Sequence, residues 1–167
     1  MAMLAKVGMA PLPIFASVCL VAFLLAVTLI DLRTQRIPDG LNLAMGVTGL
    51  GFASALRQPL GDHVIGAVCG FAALYLLNEA YRHLRGRDGI GMGDAKFMAA
   101  AGLWLGWIAL PFVALIAASA ALSMLSIAAL MGRPVRPDTR IAFGPFLALG
   151  VAVAWIVLLA RGGFAGP

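Results

Sequence analysis

Six apolar stretches dominate the chain, near residues 12–31, 41–57, 62–84, 94–106, 108–131 and 144–161. Each is apolar throughout. A transmembrane barrel would instead alternate apolar and polar positions. Several stretches approach the ~20 residues that cross a bilayer as a helix. Glycine and proline mark most of the breaks, among them Pro38, Gly40, Pro59, Gly61, Gly86, Gly132, Pro134, Gly144 and Pro145. The fourth stretch is short and ends in a tight "LGW" turn at 105–107, so it reads as a partial span or the first arm of a helical hairpin. The expected fold is all-α: a polytopic membrane protein of about six transmembrane helices with short loops. The first run, Ile14 to Ile30, has no charge. It exceeds the ~7–15 residues of a signal-peptide core and lacks a small-x-small cleavage site, so it reads as a retained span. No stretch is left for a sizeable soluble domain. A single membrane-embedded domain over 1–167 is expected.

Composition agrees with the pattern. Only 11% of the 167 residues are charged and 62% are hydrophobic, where soluble domains carry ~25% charge. The net charge of +5 would suggest nucleic acid in a soluble protein. Here the basic residues sit in short loops, and membrane topology explains them better. Arg33 and Arg36 follow the first stretch. Arg82, Arg85, Arg87 and Lys96 follow the third, and Arg133, Arg136 and Arg140 the fifth. The opposite side holds Lys6, Arg57 and Arg161. The positive-inside rule then places the odd-numbered connections in the cytoplasm and both termini outside. Small residues in "AAAG" at 99–102 and "AASAALSMLS" at 117–126 suit close helix packing. Trp104, Trp107 and Trp155 are expected as interfacial anchors. Cys19 and Cys69 read as buried small apolar side chains, with no ligand spacing to each other or to His63 and His83, so no metal site is indicated.

Charge inside this frame is sparse enough for each carboxylate to matter. Asp31 closes the first stretch and Asp94 opens the fourth, both at the cytoplasmic boundary. Two carboxylates meeting there could not both ionise easily. One would hold a proton while the other took a proton from water, the chemistry of an aspartic peptidase, with no metal and no covalent intermediate. The simpler readings are that Asp94 caps the helix after it and that Asp31 pairs with Arg33 or Arg36. Spacing and depth alone leave both alternatives open.

Two stretches carry a resemblance. "IDLRTQRIPDGLNL" at 30–43 and "DGIGMGDAKFMAAAGLWLGW" at 88–107 are similar to the signature regions of type IV prepilin peptidases, also called prepilin leader peptidases. Asp31, Pro38 and Asp39 match the first motif. Gly91, Gly93, Asp94 and Lys96 match its Gly-x-Gly-Asp-x-Lys motif. "IAFGPFLALG" at 141–150, with Gly144 and Pro145, resembles a Pro-Phe-Gly-Pro stretch, although Ala142 replaces its first proline. The resemblance covers roughly residues 20 to 160. It implies a multi-pass protein of the bacterial inner membrane, without a cofactor. It implies an Asp31/Asp94 pair that cuts the basic leader from prepilins or pseudopilins at the cytoplasmic face. Longer members also N-methylate the product and often carry Cys-x-x-Cys pairs. Neither that length nor those cysteines precede Asp31, which weighs against methyltransferase activity. No oligomeric state follows.

Supporting roles can be assigned on the same basis. Gly91 and Gly93 would supply unusual backbone conformations and clearance for substrate. Lys96 is expected to snorkel to headgroups in preference to orienting a carboxylate. Asp39 reads as the N-cap of the second helix, and Glu79 as a partner of Arg82 or Arg85. Two rival functions remain on sequence grounds. One is an intramembrane protease resembling presenilin or signal peptide peptidase, which usually has a Tyr-Asp pair deep in a helix, where this chain has Ile30 before a shallow Asp31. The other is a non-enzymatic proton-coupled transporter, which should place acids near mid-membrane.

Overall fold

A computed structural model describes residues 11–86, 89, 91–132 and 142–162. Its six helices are α1 (Pro11–Thr34), α2 (Asp39–Ala55), α3 (Leu60–Arg85), α4 (Met92–Leu105), α5 (Leu110–Leu130) and α6 (Gly144–Ala160). A 3-10 turn, Trp107–Ala109, joins α4 to α5. No strand occurs among the described residues.

The breaks lie where proline and glycine dictate. Pro38 and Pro59 are the N-cap residues of α2 and α3, in extended conformation. A proline disfavours helix in the residue before it, so α1 cannot run on into α2. Gly86 (φ 69°) and Gly106 (φ 73°) end α3 and α4, and Pro145 lies in the first turn of α6. Two terminators are unannounced, Gln35 after α1 and Arg57 (φ 55°) after α2, neither of them glycine. Gln35 follows α1 with φ 51°, a left-handed conformation in a residue with a full side chain, while its N–H closes on Asp31 O at 2.8 Å.

The bundle is organised around α4. This 14-residue helix packs against α3, α2, α6 and α5 and is buried on nearly every side, with Phe97, Ala101 and Trp104 at its centre. At ~1.5 Å per residue it is too short to cross a ~30 Å hydrocarbon layer, which matters little for a helix wrapped by others. Among the described residues three helical stretches are long and apolar enough to span: Pro11–Thr34, Leu60–Arg85 and Trp107–Leu130. Their outward faces are greasy. Phe15, Val18, Leu25, Leu29 and Leu32 on α1, and Phe112, Leu115, Leu122 and Ile127 on α5, are all more than half exposed. A surface of this kind belongs in lipid.

Close approach of α3 to α4 depends on two glycines. A β-carbon on Gly66 would sit 2.8 Å from Gly102 O, and one on Gly102 would strike the Gly66 backbone. Small residues at a crossing let membrane helices touch through their backbones.

Two expectations about side chains change. Trp104 and Trp155 are core residues, not interfacial anchors, only 2% and 4% exposed. Trp104 Nε1 donates to Met45 O (2.8 Å), Trp155 Nε1 donates to Ser17 Oγ (2.9 Å), and the two indoles meet edge to face at 5.6 Å. Their N–H groups find partners inside the bundle, which is what makes indole burial tolerable. Trp107 alone of the three is exposed, donating to Asp62 Oδ1 at 3.3 Å. Cys69 is exposed on α3 and not buried, and Cys19 is half-buried; both are free thiols. Arg87, Asp88, Arg133, Arg136, Arg140 and Lys6 lie outside the described residues.

Candidate active site

Asp31 lies on the last turns of α1, four residues before the left-handed Gln35, and is 4% exposed. Its Oδ2 accepts a 2.9 Å hydrogen bond from the backbone N–H of Gly144, the first residue of α6. The free N–H groups of a helix start are natural donors to a carboxylate. The approach is tight: a β-carbon on Gly144 would lie 2.7 Å from Asp31 Oδ2. Phe143, half-buried before it, is the N-cap of α6. An apolar cleft of about 270 Å³ between α1 and α6 adjoins this contact, reaching Thr28, one turn before Asp31, and Pro145.

Asp94 lies in the first turn of α4 and is 9% exposed. The N-cap of α4 is Gly91, not Asp94. Asp94 is the third residue inside, and its carboxylate reaches back to the backbone N–H of Gly91. This is the acidic half of a capping box, so the helix-terminal role foreseen as the simpler reading exists, one turn further in. The Asp94 carboxylate also interacts electrostatically with that of Asp31. Both acids are therefore buried, and each is held by a main-chain donor at a helix start.

What joins them is mostly not a direct packing of α1 on α4. α1 packs chiefly on α6, and α4 on α3 and α2. The α1–α2 connector bridges the gap through the start of α4. Ile37, 7% exposed, presses on Gly93, where an added β-carbon would meet Ile37 Cβ at 3.3 Å and Ile37 N at 3.4 Å. Asn42 Nδ2 donates to Gly93 O at 3.2 Å. Lys96 Nζ pairs with Asp39 Oδ2 at 2.6 Å, 57 residues apart in sequence.

Several expected roles shift with this geometry. Asp39 is not the N-cap of α2; Pro38 is, and Asp39 is the first helical residue, with its side chain 72% exposed and turned to Lys96. Lys96 thus meets a carboxylate, the other role foreseen for it. Gly91 has ordinary extended angles (φ −69°, ψ 141°), and neither Gly91 nor Gly93 has positive φ. The clearance at Gly93 is taken up by the chain's own Ile37. Glu79 pairs with Arg82 as expected, and also lies 3.4 Å from His83 Nε2. Asn42, 5% exposed, is the residue that sequence reasoning passes over. The signal was an amide four residues after Pro38, at the start of a largely apolar helix. Among the described residues no three His, Cys, Asp or Glu side chains gather as a metal-holding group.

The sequence profile of the type IV leader peptidase family matches residues 18–132. The chain belongs to that family. The matched stretch runs from α1 through α5 and contains both aspartates, while α6 and its Gly144 contact lie beyond it. Individual relatives carry the name prepilin leader peptidase/N-methyltransferase. The one from Pectobacterium carotovorum subsp. carotovorum is 39% identical over 141 residues, covering 82% of this chain and 49% of its own. That from Burkholderia pseudomallei strain K96243 is 44% identical over 138 residues, covering 80% of this chain and 43% of its own. That from Escherichia coli strain K12 is 39% identical over 140 residues, covering 80% and 61%. This type IV leader peptidase family member thus spans about half the length of the first two relatives. No solved structure matches the chain.

Proposed function

We propose that this protein is a membrane aspartic endopeptidase that removes the basic leader from type IV prepilins or pseudopilins at the cytoplasmic membrane face, through Asp31 and Asp94. The observation that carries the reading is a pair of buried carboxylates on two helix ends, one tied to Gly144 N–H and the other to Gly91 N–H. Family membership supports the substrate class. The basic ends of α1 and α3, with Arg33, Arg36, Arg82 and Arg85, support a cytoplasmic site by the positive-inside rule.

In this mechanism the pair holds one proton between its two carboxylates. The ionised member takes a proton from a water molecule, whose oxygen attacks the scissile carbonyl carbon. The protonated member donates to the carbonyl oxygen as negative charge develops there. Collapse of the tetrahedral intermediate breaks the C–N bond, and the leaving amine takes a proton from the pair. The two acids act as a unit and are given no separate roles. The helix-end donors at Gly144 and Gly91 fix the carboxylates without mobile side chains.

The reading is tested by co-expressing the protein with candidate prepilins and measuring the intact mass of each pilin. Loss of the leader is expected only when the protein is present. A full-length prepilin under these conditions, for every pilin of the host, would overturn the reading. The same spectrum reports whether the new N-terminus carries a methyl group.

A further inference from the structure

Asn42 is held in an unusual way. Its amide orientation is fixed, because Nδ2 donates to Gly93 O at 3.2 Å and a reversed amide would set two oxygens against each other. Its Oδ1 is then buried with no hydrogen-bond partner. An unmet buried acceptor costs stability, and an apolar side chain of similar size would remove that cost. The amide is not needed to rescue an orphan carbonyl either. Gly93 lies in the first turn of α4, where the helix's own ladder uses the carbonyls. The bond to Gly93 is an additional one.

Its location gives it a use. The carbonyl of Gly93 and the N–H of Asp94 belong to one planar peptide unit. The helix ladder and the Asp94 N–H to Gly91 O bond at 3.1 Å orient this peptide within α4, so the additional bond to its oxygen fixes where the start of α4, and Asp94 with it, lies against the connector. Asn42 stands four residues beyond Pro38, on the connector side of α2, and Asp31 lies at the far end of the same connector. Through this bond the segment that begins at one aspartate grips the peptide that carries the other. Ile37 touches Gly93 from that segment as well, but a van der Waals contact lacks the direction of a hydrogen bond.

We infer that Asn42 is a positioning residue for peptide-bond cleavage, setting the Gly93–Asp94 peptide against the α1–α2 connector so that Asp94 faces Asp31. The inference rests on the proposed peptidase function. It concerns orientation of a reacting carboxylate, so it acts on kcat and not on substrate binding.

Asn42→Leu, which keeps side-chain bulk and removes both amide atoms, separates positioning from packing. Purified full-length protein in detergent should cleave a prepilin with kcat reduced about 10- to 100-fold, the cost of slight misplacement of a reacting group. KM should stay within about twofold, and thermal stability should be unchanged or higher because the orphan acceptor is gone. A kcat within about twofold of the unaltered protein would overturn the inference. If Asn42→Leu does not fold, Asn42→Gln and Asn42→Met decide, since they are of like length and only glutamine carries an amide N–H to donate to Gly93 O. Turnover by the glutamine variant should exceed that of the methionine variant by about tenfold, and equal turnover would overturn the inference. Absence of cleavage by the unaltered protein would instead count against the peptidase reading itself.

Discussion

The backbone N–H of Gly144 reaches Asp31 Oδ2 at 2.9 Å, and no further carbon fits between the two residues. A helix start on α6 thus holds a carboxylate on α1, 113 residues earlier in the chain. Substituting Gly144→Ala would place a β-carbon 2.7 Å from Asp31 Oδ2, well inside contact distance. Either the carboxylate or α6 must shift. Cleavage of a prepilin by this variant is expected to fall about 10- to 100-fold while the protein still inserts, and a steady-state assay on purified protein checks it.

The ion pair between Asp39 and Lys96 joins the two sequence motifs, but its members are 72% and 39% exposed. Pairs of that kind contribute at most about 1 kcal/mol. A double-mutant cycle on Asp39→Ala and Lys96→Ala, read by thermal unfolding in detergent, should give a coupling of about 0.2–1 kcal/mol. Swapping the charges, with Asp39→Lys and Lys96→Asp together, should recover most of it.

Gly66 and Gly102 carry a larger share of the fold. Gly66→Ala forces a β-carbon against the backbone of α4 near Gly102 and Gly106. Overpacking of this kind costs about 1–3 kcal/mol. Unfolding midpoints of the alanine variant should drop accordingly, with a greater loss for Gly66→Val.

The helical plan was legible because apolar run length and Gly/Pro breaks are local properties, and the family motifs marked Asp31 and Asp94 directly. The partners of those residues were not legible. Whether Lys96 meets a headgroup or Asp39 depends on how α2 lies against α4, and a single sequence does not encode that contact locally. The indoles of Trp104 and Trp155 misled for the same reason: tryptophan suits an interface or a core equally, and the choice falls to acceptors such as Met45 O and Ser17 Oγ. Gln35 adopts a left-handed turn without glycine, so nothing in its identity announced it. Asn42 was visible as an amide at the start of a largely apolar helix, yet only the Gly93 carbonyl beside it gives that amide a purpose.

The central claim is that Asp31 and Asp94 act as one water-activating unit. It is tested most directly by single-turnover cleavage of a purified prepilin by Asp31→Asn, Asp94→Asn and the double variant, each shown to be folded and membrane-inserted. Either single substitution should abolish cleavage, and the double variant should be no worse than the singles, as for residues that share one function. Cleavage at the unaltered rate by either single variant would contradict the account.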